Sequence, residues 1–245
     1  MSAPVVDAGA LAGRTVLIVG AHGALGRAAA LACAAAGAQV VLLGRKVPKL
    51  NRVYDAIARE GGQPQLYPLD LEGATPDDYA EMAERIGQSL GRLDGVLHCA
   101  ADFPGLTPLE HVDPGTFARG VHVNLTARWW LTQACLPLLR AAPDAAVVFA
   151  IDTPARTVQP YWGAYGIAQA GNEALVHMLA GELASTPVRV CGFAPGPIRS
   201  PLRAKAFVED ADTTAIDPAA YAAACVQLLS AAGAQHRGQV LTASA

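Results

Sequence analysis

Thr15-Val-Leu-Ile-Val-Gly20-Ala-His22-Gly23-Ala-Leu25-Gly26 is the stretch on which the fold turns. Thr15–Val19 is a continuous run of β-branched and aliphatic residues, the pattern of a strand covered on both faces. It passes without a linker into three glycines and then into an alanine-rich segment, Ala24–Ala36, that reads as a helix. A glycine at a strand end permits a tight turn, and a missing side chain lets backbone approach a phosphate. The helix that follows offers unpaired N–H groups and the positive end of its dipole. Three glycines spaced this way are a weak signal alone. Between a first strand and a first helix they point to a pyrophosphate site, with an ordinary tight turn as the plainer alternative.

Outward from this stretch, strand-like and helix-like segments alternate. Further strands are predicted at Gln39–Leu43, Gln65–Leu69, Gly95–His98, Ala146–Ile151, Val188–Phe193 and Gln239–Thr242. Helices are predicted at Val47–Arg59, Pro76–Leu90, Pro114–Ala141, Ala164–Ala184 and Pro218–Ala231. Such alternation implies an α/β fold: a Rossmann-type, doubly wound parallel sheet of about seven strands with helices on both faces. One domain over residues 1–245 is expected, opening with a loosely ordered arm over residues 1–12. Ligands of such sheets lie beyond the carboxyl ends of the strands, so residues just after each strand matter most.

Composition agrees. Hydrophobic residues make up 52% and charged residues 16%, as in a compact folded chain. A net charge of −3 argues against nucleic acid or an anionic membrane as partner. The longest apolar stretch, Ala28–Gly44, is interrupted by Gly37 and Gln39 and reads as core, not as a membrane span. Five scattered cysteines without CxxC spacing suggest reduced thiols, and Met1–Gly13 lacks the pattern of a signal peptide. A cytoplasmic protein is expected. The six histidines form no ligand-spaced pair, so no metal site is expected, and no serine sits in a G-x-S-x-G elbow.

The second strand ends in Leu43-Gly44-Arg45-Lys46. A dinucleotide site preferring NAD(H) usually carries an acid here, for the ribose 2′-hydroxyl. Arg45 instead suits a 2′-phosphate, which predicts NADP(H) over NAD(H), with His22 as a second cationic contact. A solvated basic pair at a strand end is the alternative.

Taken together, these segments resemble the short-chain dehydrogenase/reductase family over essentially the whole chain. The turn Gly20-x-x-Gly23-x-x-Gly26 resembles that of its extended and atypical members. Asp70-Leu71 matches the adenine-contacting acid, and Cys99-Ala100-Ala101 stands where the family carries Asn-Ala-Gly. Asn124 matches the helix asparagine that supports the active site, and Pro195-Gly196-Pro-Ile198 matches the nicotinamide loop. Leu93-Asp-Gly-Val-Leu-His98 and Trp162-Gly-Ala-Tyr165 resemble a bacterial subgroup labelled only as oxidoreductases, with a degenerate catalytic set.

The resemblance implies a reaction in which a tyrosine moves a proton while hydride moves to or from the nicotinamide. The family's Tyr-x-x-x-Lys becomes Tyr165-Gly-Ile-Ala-Gln169. The serine thirteen residues before the tyrosine becomes Asp152, with Thr153 adjacent if the loop slips by one. Gln169 can hydrogen-bond a ribose hydroxyl but carries no charge. An ionised Asp152 about 4 Å from Tyr165 would oppose tyrosinate by about 4 kcal/mol at an effective dielectric of 20. Either Tyr165 acts as an acid only, which favours carbonyl reduction, or a protonated Asp152 donates the bond that serine normally gives. Tyr165 could also be an aromatic anchor, and Asn124 a purely structural group in a bent helix.

In the resembled family, the long fifth helix and the next one form a homodimer or homotetramer surface. Trp129-Trp130 on that fifth helix are expected mainly in packed core. The polar segment Ser200–Thr214 resembles a mobile substrate lid. The alternatives from sequence are an NADP(H)-dependent reductase of a small carbonyl substrate, a nucleotide-binding protein without catalysis, and a scaffold that has lost its cofactor.

Overall fold

The structure is a computed structural model and describes residues 8–207 and 214–243. In chain order its main elements are β1 (Thr15–Val19), α1 (Ala24–Ala35), β2 (Gln39–Gly44), α2 (Val47–Arg59), β3 (Gln65–Pro68) and α3 (Pro76–Leu90). They continue with β4 (Gly95–His98), α4 (Pro114–Val121), α5 (Ala127–Ala141), β5 (Ala145–Ala150), α6 (Pro154–Thr157) and α7 (Gly163–Glu182). The last are β6 (Val188–Ala194), α8 (Arg203–Ala206), α9 (Ala222–Leu229) and β7 (Val240–Thr242).

The strands make one sheet in the order β3-β2-β1-β4-β5-β6-β7, and every pairing is parallel. Winding reverses between β1 and β4, where Val16 lies beside both Val40 and Gly95. The period-2 alternation of β1 explains the layers. Leu17 and Val19 join one buried cluster with Met82 of α3, Leu131 of α5 and Val176 of α7. Val16 and Ile18 join the other, with Ala29 of α1, Val53 of α2 and Val226 of α9. Alanine on α1 brings that helix close to the sheet. This is the Rossmann-type, doubly wound α/β fold expected from sequence.

Four expectations are refined. The long fifth helix is divided: α4 and α5 meet at a π-helical turn, His122–Thr126, which holds an extra residue at Asn124. The last predicted helix begins as a 3₁₀ turn, Pro218–Tyr221, before α9. Trp129 is 43% exposed, because the buried face of α5 runs through Arg128, Leu131, Thr132, Cys135 and Leu139. Of the arm expected over residues 1–12, residues 1–7 lie outside the described residues. Leu11 is fully buried and its N–H bonds to Ala36 O at 2.9 Å. No helix among the described residues is long and apolar enough to cross a membrane.

Candidate active site

At the end of β1 the glycines are required sterically. Gly20 has φ +83°, and a Cβ there would lie 2.6 Å from the backbone N of Ala100, so only glycine lets the β1 and β4 ends meet. A Cβ on Gly26 would collide with the carbonyl oxygen of Gly20, so α1 presses directly on the turn. Gly23 caps α1 with no side-chain hydrogen bond, and the first turn of α1 holds no acid. The helix N-terminus is thus left with backbone donors and positive potential for an anion. Above it, at the reversal of winding, opens a cavity of about 540 Å³. A glycine cradle under an uncapped helix end fits a dinucleotide pyrophosphate.

One end of the cavity is basic. Arg45, at the end of β2, lies 3.9 Å from Glu72 and 4.0 Å from Asp70 and is 47% exposed. Lys49 of α2 and Arg27 of α1 line the same cavity, and neither was singled out from sequence. The expectation of a cationic His22 is corrected. Burial first, then Lys49, Lys46 and Arg45, lower its imidazole pKa, so it is neutral at pH 7. Its Nδ1 is buried without a hydrogen-bond partner, in the space that a Cβ on Gly44 would fill. Asp70 Oδ1 accepts from Glu72 N at 3.2 Å, and Asp70 and the buried Leu71 both line the cavity.

The other end holds the substituted residues. Tyr165 on α7 packs against Phe103 and Trp162, with ring centroids 5.3 and 5.8 Å away. Burial, reinforced by Asp152, pushes its phenol well above the ordinary tyrosine range, while Arg128 and Arg156 oppose the shift. Asp152, just past β5, faces the cavity, whereas Thr153 is not among its lining residues. Asp152 Oδ1 pairs with Arg156 Nη1 at 2.8 Å, one helical turn on. Burial still raises its carboxyl above the usual range, against Arg156 and the Thr153 N–H. Gln169 accepts from the Asp152 N–H at 3.0 Å, which fixes the loop that carries Asp152.

Asn124 is placed beside the cavity, not in its lining. Its Oδ1 accepts from Asp102 N at 2.9 Å, and its Nδ2 donates to the carbonyls of Asp102 and Gly120 at 2.7 Å. The π turn frees its own carbonyl, which accepts from Asn172 Nδ2 at 2.8 Å. Asn124 therefore braces the loop after β4 against α4. Cys99, Ala100, Pro195, Gly196 and Ile198 line the cavity from the ends of β4 and β6, and Gly196 has φ +70°. Of the expected lid, residues 208–213 lie outside the described residues. Within the remainder, α8 is tied down by Lys205 Nζ donating to Phe103 O at 2.8 Å, and Phe207 faces Trp162 at 6.5 Å.

Residues 14–211 match the family model for short chain dehydrogenases. The chain belongs to the short-chain dehydrogenase family. The uncharacterized oxidoreductase YciK of Escherichia coli K12 is 37% identical over 195 residues, covering 79% of this chain and 77% of that protein. A short chain dehydrogenase from Salmonella enterica serovar Typhi superposes with a TM-score of 0.93 at 34% identity, over 99% of both chains. A protein of Escherichia coli CFT073 described as a short chain dehydrogenase, solved with NADPH, gives a TM-score of 0.92 at 34% identity. That match covers 99% of this chain and 100% of the other. As a short-chain dehydrogenase the chain is an oxidoreductase of a family that binds a nicotinamide cofactor. Within this short-chain dehydrogenase, Arg128 and Arg156 join Lys49 and Arg27 among the cavity-lining residues that sequence reasoning missed. The signals were there: an arginine inside an apolar helix four residues after Asn124, and another four after Asp152.

Proposed function

We propose that this short-chain dehydrogenase uses NADP(H) to reduce a small carbonyl compound, with Tyr165 as proton donor. The observation that carries the reading is the buried phenol of Tyr165. It is held in the cavity by Phe103 and Trp162 and kept protonated by burial and Asp152. A group so reluctant to ionise is a poor base at neutral pH but remains a competent acid toward an alkoxide, which is a far stronger base than a phenolate. Gly20, Gly23 and the first turn of α1 would hold the pyrophosphate of the dinucleotide. Arg45 and Lys49 would hold the 2′-phosphate, and Pro195-Gly196 would border the nicotinamide. When bound, the dinucleotide supplies the hydride. Tyr165 gives its proton to the carbonyl oxygen, Gln169 holds the Asp152 loop in place, and the aromatic wall excludes water. The complex of the Escherichia coli CFT073 neighbour with NADPH supports the choice of cofactor.

Five free thiols fit a reducing compartment such as the cytoplasm. Trp129, Ile167 and Met178 are exposed on α5 and α7, and we read them as part of a face where two copies meet.

The test is NADPH oxidation against a panel of aldehydes and ketones, with nucleotide affinity measured separately by fluorescence. Tyr165→Phe is expected to slow reduction by about 10²- to 10⁴-fold with NADPH binding unchanged. An undiminished rate in that variant removes Tyr165 from the chemistry. The pairing of Asp152 with Arg156 favours a second reading, nucleotide binding without turnover, because it occupies the carboxylate that replaces serine. Binding with no reduction of any carbonyl would establish that reading instead.

A further inference from the structure

The buried stripe of α5 is apolar except at Thr132 and at Arg128, which is only 2% exposed. Arg128 lines the cavity and reaches the ends of β4 and β5. Its Nη1 donates to Ala150 O at 2.9 Å and its Nη2 to Ala100 O at 2.6 Å. Its Nε is shut away from solvent with no hydrogen-bond partner. Among the described residues no carboxylate lies within ion-pair distance of it. Guanidinium stays charged in proteins, so this is a buried, unbalanced positive charge.

Such a charge is costly. Satisfying two carbonyls does not require it, since a neutral amide could donate to both. The groups around it are uncharged at rest: His98, whose imidazole burial keeps neutral, Cys99, whose thiol is pushed up to about 12 by burial, and the phenol of Tyr165. Tyr165 in turn is faced by Arg128 from α5, Asp152 from the loop after β5, and Arg156 from α6. Arg128 and Tyr165 line the same cavity, and of the two cations that act on the phenol Arg128 has the larger effect, while Arg156 is paired with Asp152 at 2.8 Å. We propose that Arg128 is a positioning residue whose charge balances the Tyr165 phenolate as it forms, the role that the uncharged Gln169 leaves open. The inference rests on Tyr165 as the proton donor, but its test does not need turnover.

Tyr165 is replaced by tetrafluorotyrosine, a near-isostere whose free phenol ionises below neutral pH and so leaves room for the rise that burial imposes, and phenolate absorbance is followed against pH. The titration is run with Arg128 intact and as Arg128→Lys, Arg128→Gln and Arg128→Met, each with and without NADPH. The neutral variants are expected to raise the midpoint by about one pH unit or more, and lysine by clearly less. If Arg128→Met does not fold, Arg128→Gln, which keeps amide donors for the carbonyls, decides. An unmoved midpoint in a folded neutral variant, or equal displacement by lysine and glutamine, overturns the inference. A displaced midpoint in a protein that reduces no carbonyl would leave the inference standing and refute the proposed function.

Discussion

Substituting Arg45 by alanine takes away a guanidinium that stands 3.9 Å from Glu72 and 4.0 Å from Asp70 at the end of β2. At an effective dielectric of 20, each pair would be worth about 4 kcal/mol. With side chains close to half exposed, solvent and salt reduce that to about 1 kcal/mol or less. Arg45 is therefore loosely held, and a doubly charged 2′-phosphate can displace both carboxylates. Charge-assisted bonds of this kind contribute about 1.5–3 kcal/mol, or roughly 10- to 150-fold in affinity. Arg45→Ala should weaken NADPH by that factor and change NADH by less than about threefold. Because the lost contact is electrostatic, added salt should weaken NADPH binding to the unaltered protein more than to the variant. Glu72→Gln, which removes a competitor for the guanidinium, should tighten NADPH. Fluorescence titration with both nucleotides measures all three effects. Equal weakening of NADPH and NADH by Arg45→Ala, or none at all, would refute this assignment of the basic end of the cavity.

Gly26→Ala places a methyl group against the carbonyl of Gly20, so α1 must lift from the turn. NADPH affinity should fall at least about tenfold together with a lowered melting temperature, and normal affinity would show that the cradle tolerates a side chain. Stability should also fall in alkali. Burial raises the thiols of Cys99, Cys135 and Cys191 from 9.0 to about 12, and it raises those of Cys33 and Cys225 as well. Groups whose pKa is raised on folding stabilise fully below the unfolded value and lose that contribution as pH climbs through the folded one. For the three thiols raised to about 12 the loss is about 1 kcal/mol at pH 9 and about 4 kcal/mol at pH 10. Urea midpoints that stay level between about pH 8 and pH 10 would contradict this.

How much of this was legible in the sequence depended on whether a signal was local. Thr15–Gly26 displays its strand, turn and helix in adjacent residues, and the parallel strands are continuous apolar runs, so the layer order followed. The π turn at Asn124 was hidden because one extra residue in a helix leaves composition unchanged. The neutrality of His22 was hidden because it depends first on burial and then on Lys49, Lys46 and Arg45, which the fold brings close to it. Arg128 was passed over for a different reason: an arginine in a helix is usually a solvated one. Its burial depends on two carbonyls contributed by β4 and β5.

Loss of the family's lysine at Gln169 need not mean loss of proton transfer, because what the reaction requires is a balance of charge around one phenol. Near Tyr165, Asp152 opposes the phenolate, whereas Arg128 and Arg156 favour it, Arg128 more strongly. Burial nevertheless keeps the phenol protonated at rest. A weak base such as an alcohol or water cannot draw its proton; an alkoxide can. Proton release would then wait for hydride to reach the carbonyl carbon, and Arg128 would stabilise the phenolate left behind until water re-protonates it. A lysine free to contact both phenol and solvent would serve both directions of the reaction. A guanidinium fixed between two strand ends can balance the phenolate but cannot carry its proton to solvent. Oxidation of the product alcohol should therefore fall behind reduction at neutral pH, and Gln169→Lys should narrow the gap.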